Sequence, residues 1–328
     1  MGLTTAPSPP TVCAVQSARR LSRVVLAAVA ACAILQCGAS ELAPGSADPA
    51  VPAAEVPAPR CEAPSAWVPV ETAGPPGENV LGCLRRLGRG VTDKRIPADQ
   101  RYELTTFGNP GDEQPVDCET ELRADGTWYY AANKQRFPCR TRVRLVNQER
   151  TRCVVVQVAD TGPHACVEEA DGQPTWDVSP LAAKHLFGVS QAGWSEKRPV
   201  YGAPVAPGTP LGPCNHLADP AVLQRGAVGG ACASDAACRF AGGTCLTEQA
   251  GWPGGHCSAD CGRCPEVVGP HASSVCARDA TGAARCLAHC DFTLFASGCR
   301  KGYTCCDAPD VSGALARVCL PAGATTQH

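Results

Sequence analysis

Two aspartates stand at the ends of strand-like runs in the middle of the chain. Asp160 closes the run Val154-Val-Val-Gln-Val-Ala-Asp160 ahead of Thr161-Gly-Pro163, and Asp177 sits between Trp176 and Val178-Ser179-Pro180. An apolar strand that ends in a carboxylate delivers that group to the rim of a sheet. Two carboxylates on one rim could line one groove, one as a general acid and the other as its partner. The acid must keep its proton near neutral pH, and partial burial beside a second carboxylate raises an aspartate in that direction. Each residue has a structural rival role. Asp177 could cap a helix beginning at Ser179-Pro180, and Asp160 could hold the amides of Thr161 and Gly162 in a turn.

The elements that would position these groups are short and mostly extended. Tyr102 to Phe107, Trp128 to Ala132, Arg142 to Val146 and Cys153 to Val158 are apolar or alternating runs, each bounded by Gly, Pro, Asn or Asp. That texture predicts strands of a compact barrel. Leu181 to Phe187, with Ser179 ahead of it, predicts one short helix among the strands. Val80, Leu81, Leu84 and Leu87 have helical spacing and predict a second at the entrance.

The order of motifs carries more than the periodicity. Tyr130-Ala-Ala-Asn133 leads into Phe137-Pro-Cys-Arg-Thr-Arg-Val143, then Val156-Gln-Val-Ala-Asp160-Thr-Gly-Pro163, then Trp176-Asp-Val-Ser179. In order and spacing this resembles the rare lipoprotein A-like barrels, and more distantly the barwin, expansin and family 45 endoglucanase barrels. The resemblance implies a mainly β fold: a six-stranded double-psi β-barrel with one or two short helices, followed by a small disulfide-rich, loop-dominated module. It also implies action on peptidoglycan or another cell-wall polysaccharide, with no cofactor and no metal. In lytic members of that family a carboxylic acid protonates the glycosidic oxygen and the sugar's own hydroxyl closes an anhydro ring.

On that pattern Asp160 takes the acid position. Asp177 and, from Gly111-Asp112-Glu113, Asp112 are the further acidic candidates, with Glu113 as its alternate. Asn133, Tyr130, Thr161 and Trp176 are the substrate-binding candidates. The family's His after Ala-Ala is Asn133 here, and an amide does not exchange a proton in the working range. The implied function is therefore a glycan-binding relative of the lytic transglycosylases with weakened or lost catalysis. An active transglycosylase using Asp160 is one alternative, and a non-catalytic protein that docks to envelope proteins is another. His164, two residues beyond Gly162, could partly replace the missing His.

Composition sets the compartment. Lys and Arg number 29 against 31 Asp and Glu, with no basic stripe, so nothing supplies the phosphate neutralisation that nucleic acid demands. The chain holds 23 cysteines, a density that belongs to disulfides formed in an oxidising compartment. For the same reason Cys261-Gly-Arg-Cys264 and the vicinal Cys305-Cys306 read as bridge partners rather than a zinc or redox site. Arg19, Arg20 and Arg23 precede the apolar run Val24 to Leu35, which has signal-peptide length and is too short to span a bilayer. Val29-Ala-Ala-Cys32 resembles a lipobox, making Cys32 a candidate lipidated residue; the rival is ordinary cleavage near Ala39.

The expected organisation is a signal over 1–39, a Pro/Ala-rich disordered linker over 40–78, the barrel over 79–205, a linker over 206–213 and a cysteine-rich module over 214–328. The module resembles the EGF-like appendages of secreted myxobacterial proteins. Cys61, Cys83, Cys118, Cys139, Cys153 and Cys166 precede the second linker and fourteen cysteines, Cys214 to Cys319, follow it. Both sets are even, so each is expected to pair within itself. The address is the periplasm, a lipid-anchored outer-membrane position or the exterior.

Overall fold

A computed structural model describes residues 57–324, apart from 62–64, 70–73, 76, 194, 197, 215–219, 221–223 and 266–273. The signal over 1–39, Cys32 and most of the 40–78 linker lie outside the described residues.

Helix α1 (Val80–Leu87) comes first, capped by the Asn79 side chain. The barrel strands follow: β1 (Arg101–Thr106), then an outlying hairpin of β2 (Gln114–Val116) and β3 (Glu119–Ala124), then β4 (Tyr130–Ala132), β5 (Arg142–Asn147) and β6 (Cys153–Asp160). Next are α2 (Ala165–Asp171), β7 (Thr175–Val178), α3 (Pro180–Phe187), β8 (Pro199–Val205) and β9 (Gly212–Cys214). The sheet runs β4-β7-β1-β8-β5-β6, and a β4–β6 pairing closes it, with β9 added outside on β6. Strands β1/β7 and β4/β6 are parallel and the other pairs antiparallel. The expected six-stranded barrel is present, with three short helices where one or two were expected.

Alternation fills the barrel. Val154, Val156 and Val158 of β6 join Leu104, Ala131, Val143, Leu145, Trp176, Val178 and Val200 in one buried cluster, closed at an end by Ala182, Ala183 and Leu186 of α3. Trp176 is fully buried. It stacks on Phe137 with ring centres 5.2 Å apart and tilts against Tyr102 at 5.6 Å. Gly202 is required beside it, since a Cβ there would come within 2.8 Å of the indole nitrogen. Trp176 is therefore a core residue and not a substrate platform. Tyr130 is also fully buried; its hydroxyl donates to the Phe107 carbonyl at 2.9 Å and accepts from the Gly126 amide at 3.1 Å. It packs with Val116, Ala124 and Ala159 beneath the β2–β3 hairpin, which removes it from the substrate-binding set.

The C-terminal part contains three two-stranded hairpins: β10 (Thr244–Leu246) with β11 (His256–Ser258), β12 (Ser274–Arg278) with β13 (Ala284–Ala288), and β14 (Tyr303–Pro309) with β15 (Leu315–Pro321). Each belongs to a four-cysteine unit bridged first to third and second to fourth. The pairs are Cys232–Cys245 with Cys238–Cys257, Cys261–Cys276 with Cys264–Cys286, and Cys290–Cys305 with Cys299–Cys319. In every unit the third and fourth cysteines face each other across the hairpin. The region is thus a threefold repeat of one interlaced knot.

Two bridges correct the expectation that each cysteine set closes on itself. Cys83–Cys166 and Cys118–Cys139 stay within the first set, but Cys153 pairs with Cys214 and Cys61 with Cys306. Parity permits this, because two crossing bridges leave both remaining counts even. The causes are local pairings. Strand β9 lies on β6 with Cys214 opposite Cys153, and Arg60 and Asp307 exchange two 2.8 Å main-chain hydrogen bonds that bring Cys61 beside Cys306. A buried ion pair, Arg144 to Asp291 at 2.9 Å, also joins the C-terminal part to the barrel. The ten bridges among the described residues belong to an oxidising compartment, so the chain is an exported or extracellular protein. Among the described residues no helix is long and apolar enough to cross a membrane.

Candidate functional site

Four strands meet where β6 ends. Ala132 of β4 faces Asp160 of β6 on one side and Asp177 of β7 on the other, while Asp177 in turn faces Thr105 of β1. A register shift between Ala131 and Ala132 lets the ladder skip to Asp160. Adjacent strands are about 4.8 Å apart, so the two aspartate backbones stand roughly 10 Å from each other. Only a methyl side chain lies between them in the ladder.

Both aspartates retain partial exposure. The Asp177 carboxyl accepts a hydrogen bond from the Thr105 hydroxyl. Burial first, then the charges of Glu168 and Asp160, push it up to about 7. Asp160 is raised less. Its burial is countered by the amides of Thr161 at 2.7 Å and Asp117 at 3.3 Å, while the Asp117 charge adds to the rise. Asp117 itself is held below the usual range by the Thr161 hydroxyl and by the Lys134 ammonium at 2.9 Å. The arrangement thus supplies one carboxyl that holds a proton near neutral pH and two that ionise more readily.

Local sequence explains the placement. Gly162 follows Asp160 because the turn passes so close to β4 that a Cβ would lie 2.9 Å from the Asn133 Cα. The Cys118–Cys139 bridge fixes the hairpin corner that presents Asp117, and the Cys118 amide bonds the Ala159 carbonyl at 2.9 Å. The capping role open to Asp177 is taken by Ser179, whose hydroxyl accepts from the Ala182 amide at 3.3 Å. Asp160 does hold the Thr161 amide, as its turn role required.

The other candidates fall elsewhere. Asp112 is exposed in the loop after β1, with its amide bonded to the Asn109 carbonyl; the acid beside Asp160 is Asp117. Asn133 is buried and its side-chain amide donates to the Thr175 carbonyl at 3.2 Å, so its side chain is engaged in supporting β7. Thr161 remains at the rim, bonded to Asp117. His164 caps α2, its Nδ1 accepting from the Cys166 amide at 3.1 Å and its Nε2 lying 2.8 Å from the Gly88 carbonyl. The sulfur clusters Cys232/Cys238/Cys257 and Cys290/Cys299/Cys319 consist of bridged cysteines. A cleft of about 350 Å³, lined by Ile96, Phe137, Gly202, His289, Leu315 and Arg317 among others, contains neither Asp160 nor Asp177.

Sequence reasoning missed Asp117, Lys134, Thr105 and Glu168. Lys134 directly follows Asn133 and Asp117 directly precedes Cys118; adjacency to those positions was the only available signal.

Comparison with known proteins points to one class. A family model for lysozyme A, AlyA, matches residues 94–224, the segment that holds the barrel and both aspartates. Lysozyme B of Dictyostelium discoideum is 35% identical over 118 residues, which is 35% of this chain and 61% of that protein. Lysozyme A of the same organism is 34% identical over 99 residues, 30% of this chain and 51% of that protein. The match thus spans between half and two thirds of these relatives, and the C-terminal knots beyond residue 224 lie outside the family match.

Proposed function

We propose that this exported protein cleaves a cell-wall glycan, with Asp177 as general acid and Asp160 as the second carboxylate. The observation that carries the reading is a half-buried carboxyl raised to about 7 one strand away from a second acid. Protonation of the glycosidic oxygen by Asp177 makes the leaving group neutral, and Asp160 accepts a proton from the attacking water. With β4 between the two strands, a gap wide enough for water would favour hydrolysis with inversion over ring closure. Two further lines support the reading: the likeness to proteins named lysozymes and the likeness of the motif order to rare lipoprotein A-like barrels. Asp160, assigned the acid role on that motif order alone, becomes the partner. The barrel over 79–205 carries the chemistry, and the module over 214–328 serves as a rigid appendage.

A second reading, glycan binding without cleavage, draws on Asn133 standing where the lytic family has a proton-exchanging His. The two separate in one experiment. Purified protein is incubated with insoluble peptidoglycan, the supernatant is analysed by mass spectrometry, and the pellet is probed for bound protein. Soluble muropeptides with reducing ends, lost in Asp177→Asn and Asp160→Asn, support hydrolysis; anhydro ends would replace water with the sugar hydroxyl as nucleophile. Pelleting without products leaves the binding reading, and neither result overturns both.

A further inference from the structure

Strand β4 ends at Ala132, opposite Asp177, and leaves Thr175 and Trp176 of β7 beyond its last pairing. Beyond that point two side chains replace it. The Asn133 amide donates to the Thr175 carbonyl at 3.2 Å, and the Thr175 amide donates to Glu168 Oε1 at 2.8 Å. Both main-chain groups of Thr175 are therefore satisfied by side chains, two residues before Asp177. Glu168 is almost entirely buried and is gripped by a two-pronged Arg136 guanidinium, Nη1 to Oε1 at 2.6 Å and Nη2 to Oε2 at 2.8 Å. Behind it Arg136 reaches Asp93 at 3.5 Å and donates to the Arg95 carbonyl at 2.7 Å.

We infer that Glu168, locked by Arg136, is a positioning residue for Asp177: it fixes β7 at Thr175 and, as the carboxylate partner of Arg136, opposes loss of the Asp177 proton. This rests on the general-acid reading given above. The charges that act on Asp177 are those of Glu168 on α2 and Asp160 on β6. Around them stand Asp117 and Lys134 beside Asp160, Arg136 on Glu168, and Glu103 of β1, on the Thr105 face and 3.9 Å from Arg101. Burial pushes the Glu168 carboxyl up, while Arg136 and the Thr175 amide oppose that rise, and a bidentate guanidinium partner keeps the carboxylate charged. Removing one nearby charge should shift a carboxyl by on the order of one pH unit.

The test is a carbon-detected NMR titration of the Asp177 carboxyl in the full chain, its signal assigned by disappearance in Asp177→Asn. Glu168→Gln preserves the acceptor for Thr175 and removes the charge, and it is expected to lower the Asp177 midpoint about tenfold in proton affinity. Glu168→Asp keeps the charge but shortens the reach to Thr175; its midpoint should stay near the wild-type value while glycan release falls. If Glu168→Gln does not fold, Arg136→Met with Glu168→Met provides a neutral pair and the same expected direction. An Asp177 midpoint unchanged in a folded variant lacking the charge overturns the inference. The titration does not require turnover, so a wild-type protein without glycan-cleaving activity would sink the functional reading and still decide this one.

Discussion

Replacing Asp177 with Asn should make the protein more stable at pH 8 while abolishing glycan cleavage. The carboxyl ionises near 3.8 in the unfolded chain and near 7 in the folded one. Between those values the native state binds a proton that the unfolded state has released, so native stability falls as pH rises through this window. Each tenfold change in proton affinity is worth about 1.4 kcal/mol, which sets an upper limit of about 4 kcal/mol. Partial exposure screens the carboxyl, and about 2 kcal/mol is the reasonable expectation. An Asn retains an oxygen for the Thr105 hydroxyl, so the hydrogen bond need not be lost. Urea unfolding followed by tryptophan fluorescence at pH 4 and pH 8 gives the comparison for both proteins. Groups that titrate equally in wild type and variant cancel in the difference. The variant should match wild type at pH 4 and exceed it at pH 8. A stability difference independent of pH would refute the claim that folding holds the Asp177 proton.

Trp176→Ala removes a fully buried indole between Phe137 and Tyr102 and should cost about 3–5 kcal/mol, read as a lower urea midpoint. A surface platform would lose affinity for glycan with little change in that midpoint. Replacing Cys118 and Cys139 together by Ser opens a loop of sequence separation 21 and should cost about 3 kcal/mol on chain-entropy grounds. It should also free the corner that presents Asp117, so cleavage should fall further than thermal stability alone explains. Replacing Cys61 and Cys306 together should leave glycan cleavage intact, because that bridge joins the amino-terminal arm to β14 and lies outside the acid row; a loss of activity in folded protein would contradict the placement of the site.

The barrel was legible because strand alternation and turn residues agree along its length. Val154, Val156 and Val158 point one way on β6, and Ser179-Pro180 starts α3 with an ordinary cap. Helix α2 was not legible, since its seven residues carry little apolar periodicity and its cap is His164. Alternation also cannot say which face of a short strand is the core, and that ambiguity misplaced Tyr130 and Trp176. Asp160 and Asp177 were visible as strand-end acids, but which of them holds the proton depends first on how deeply each is buried and then on charges such as Glu168, and neither has a local signature. Asp117 owes its position to a bridge whose partner could not be read from spacing. The threefold knot was not legible for a related reason: its repeat is in the order of pairing, while the spacings between successive cysteines differ from unit to unit.

The pH dependence of glycan release, measured as soluble muropeptides per unit time, tests the general-acid assignment most directly. A protonated Asp177 predicts an alkaline limb with its midpoint near 7, set by the loss of that proton, and no activity in Asp177→Asn at any pH. Release that continues undiminished to pH 9, or that survives the Asn substitution, would contradict it.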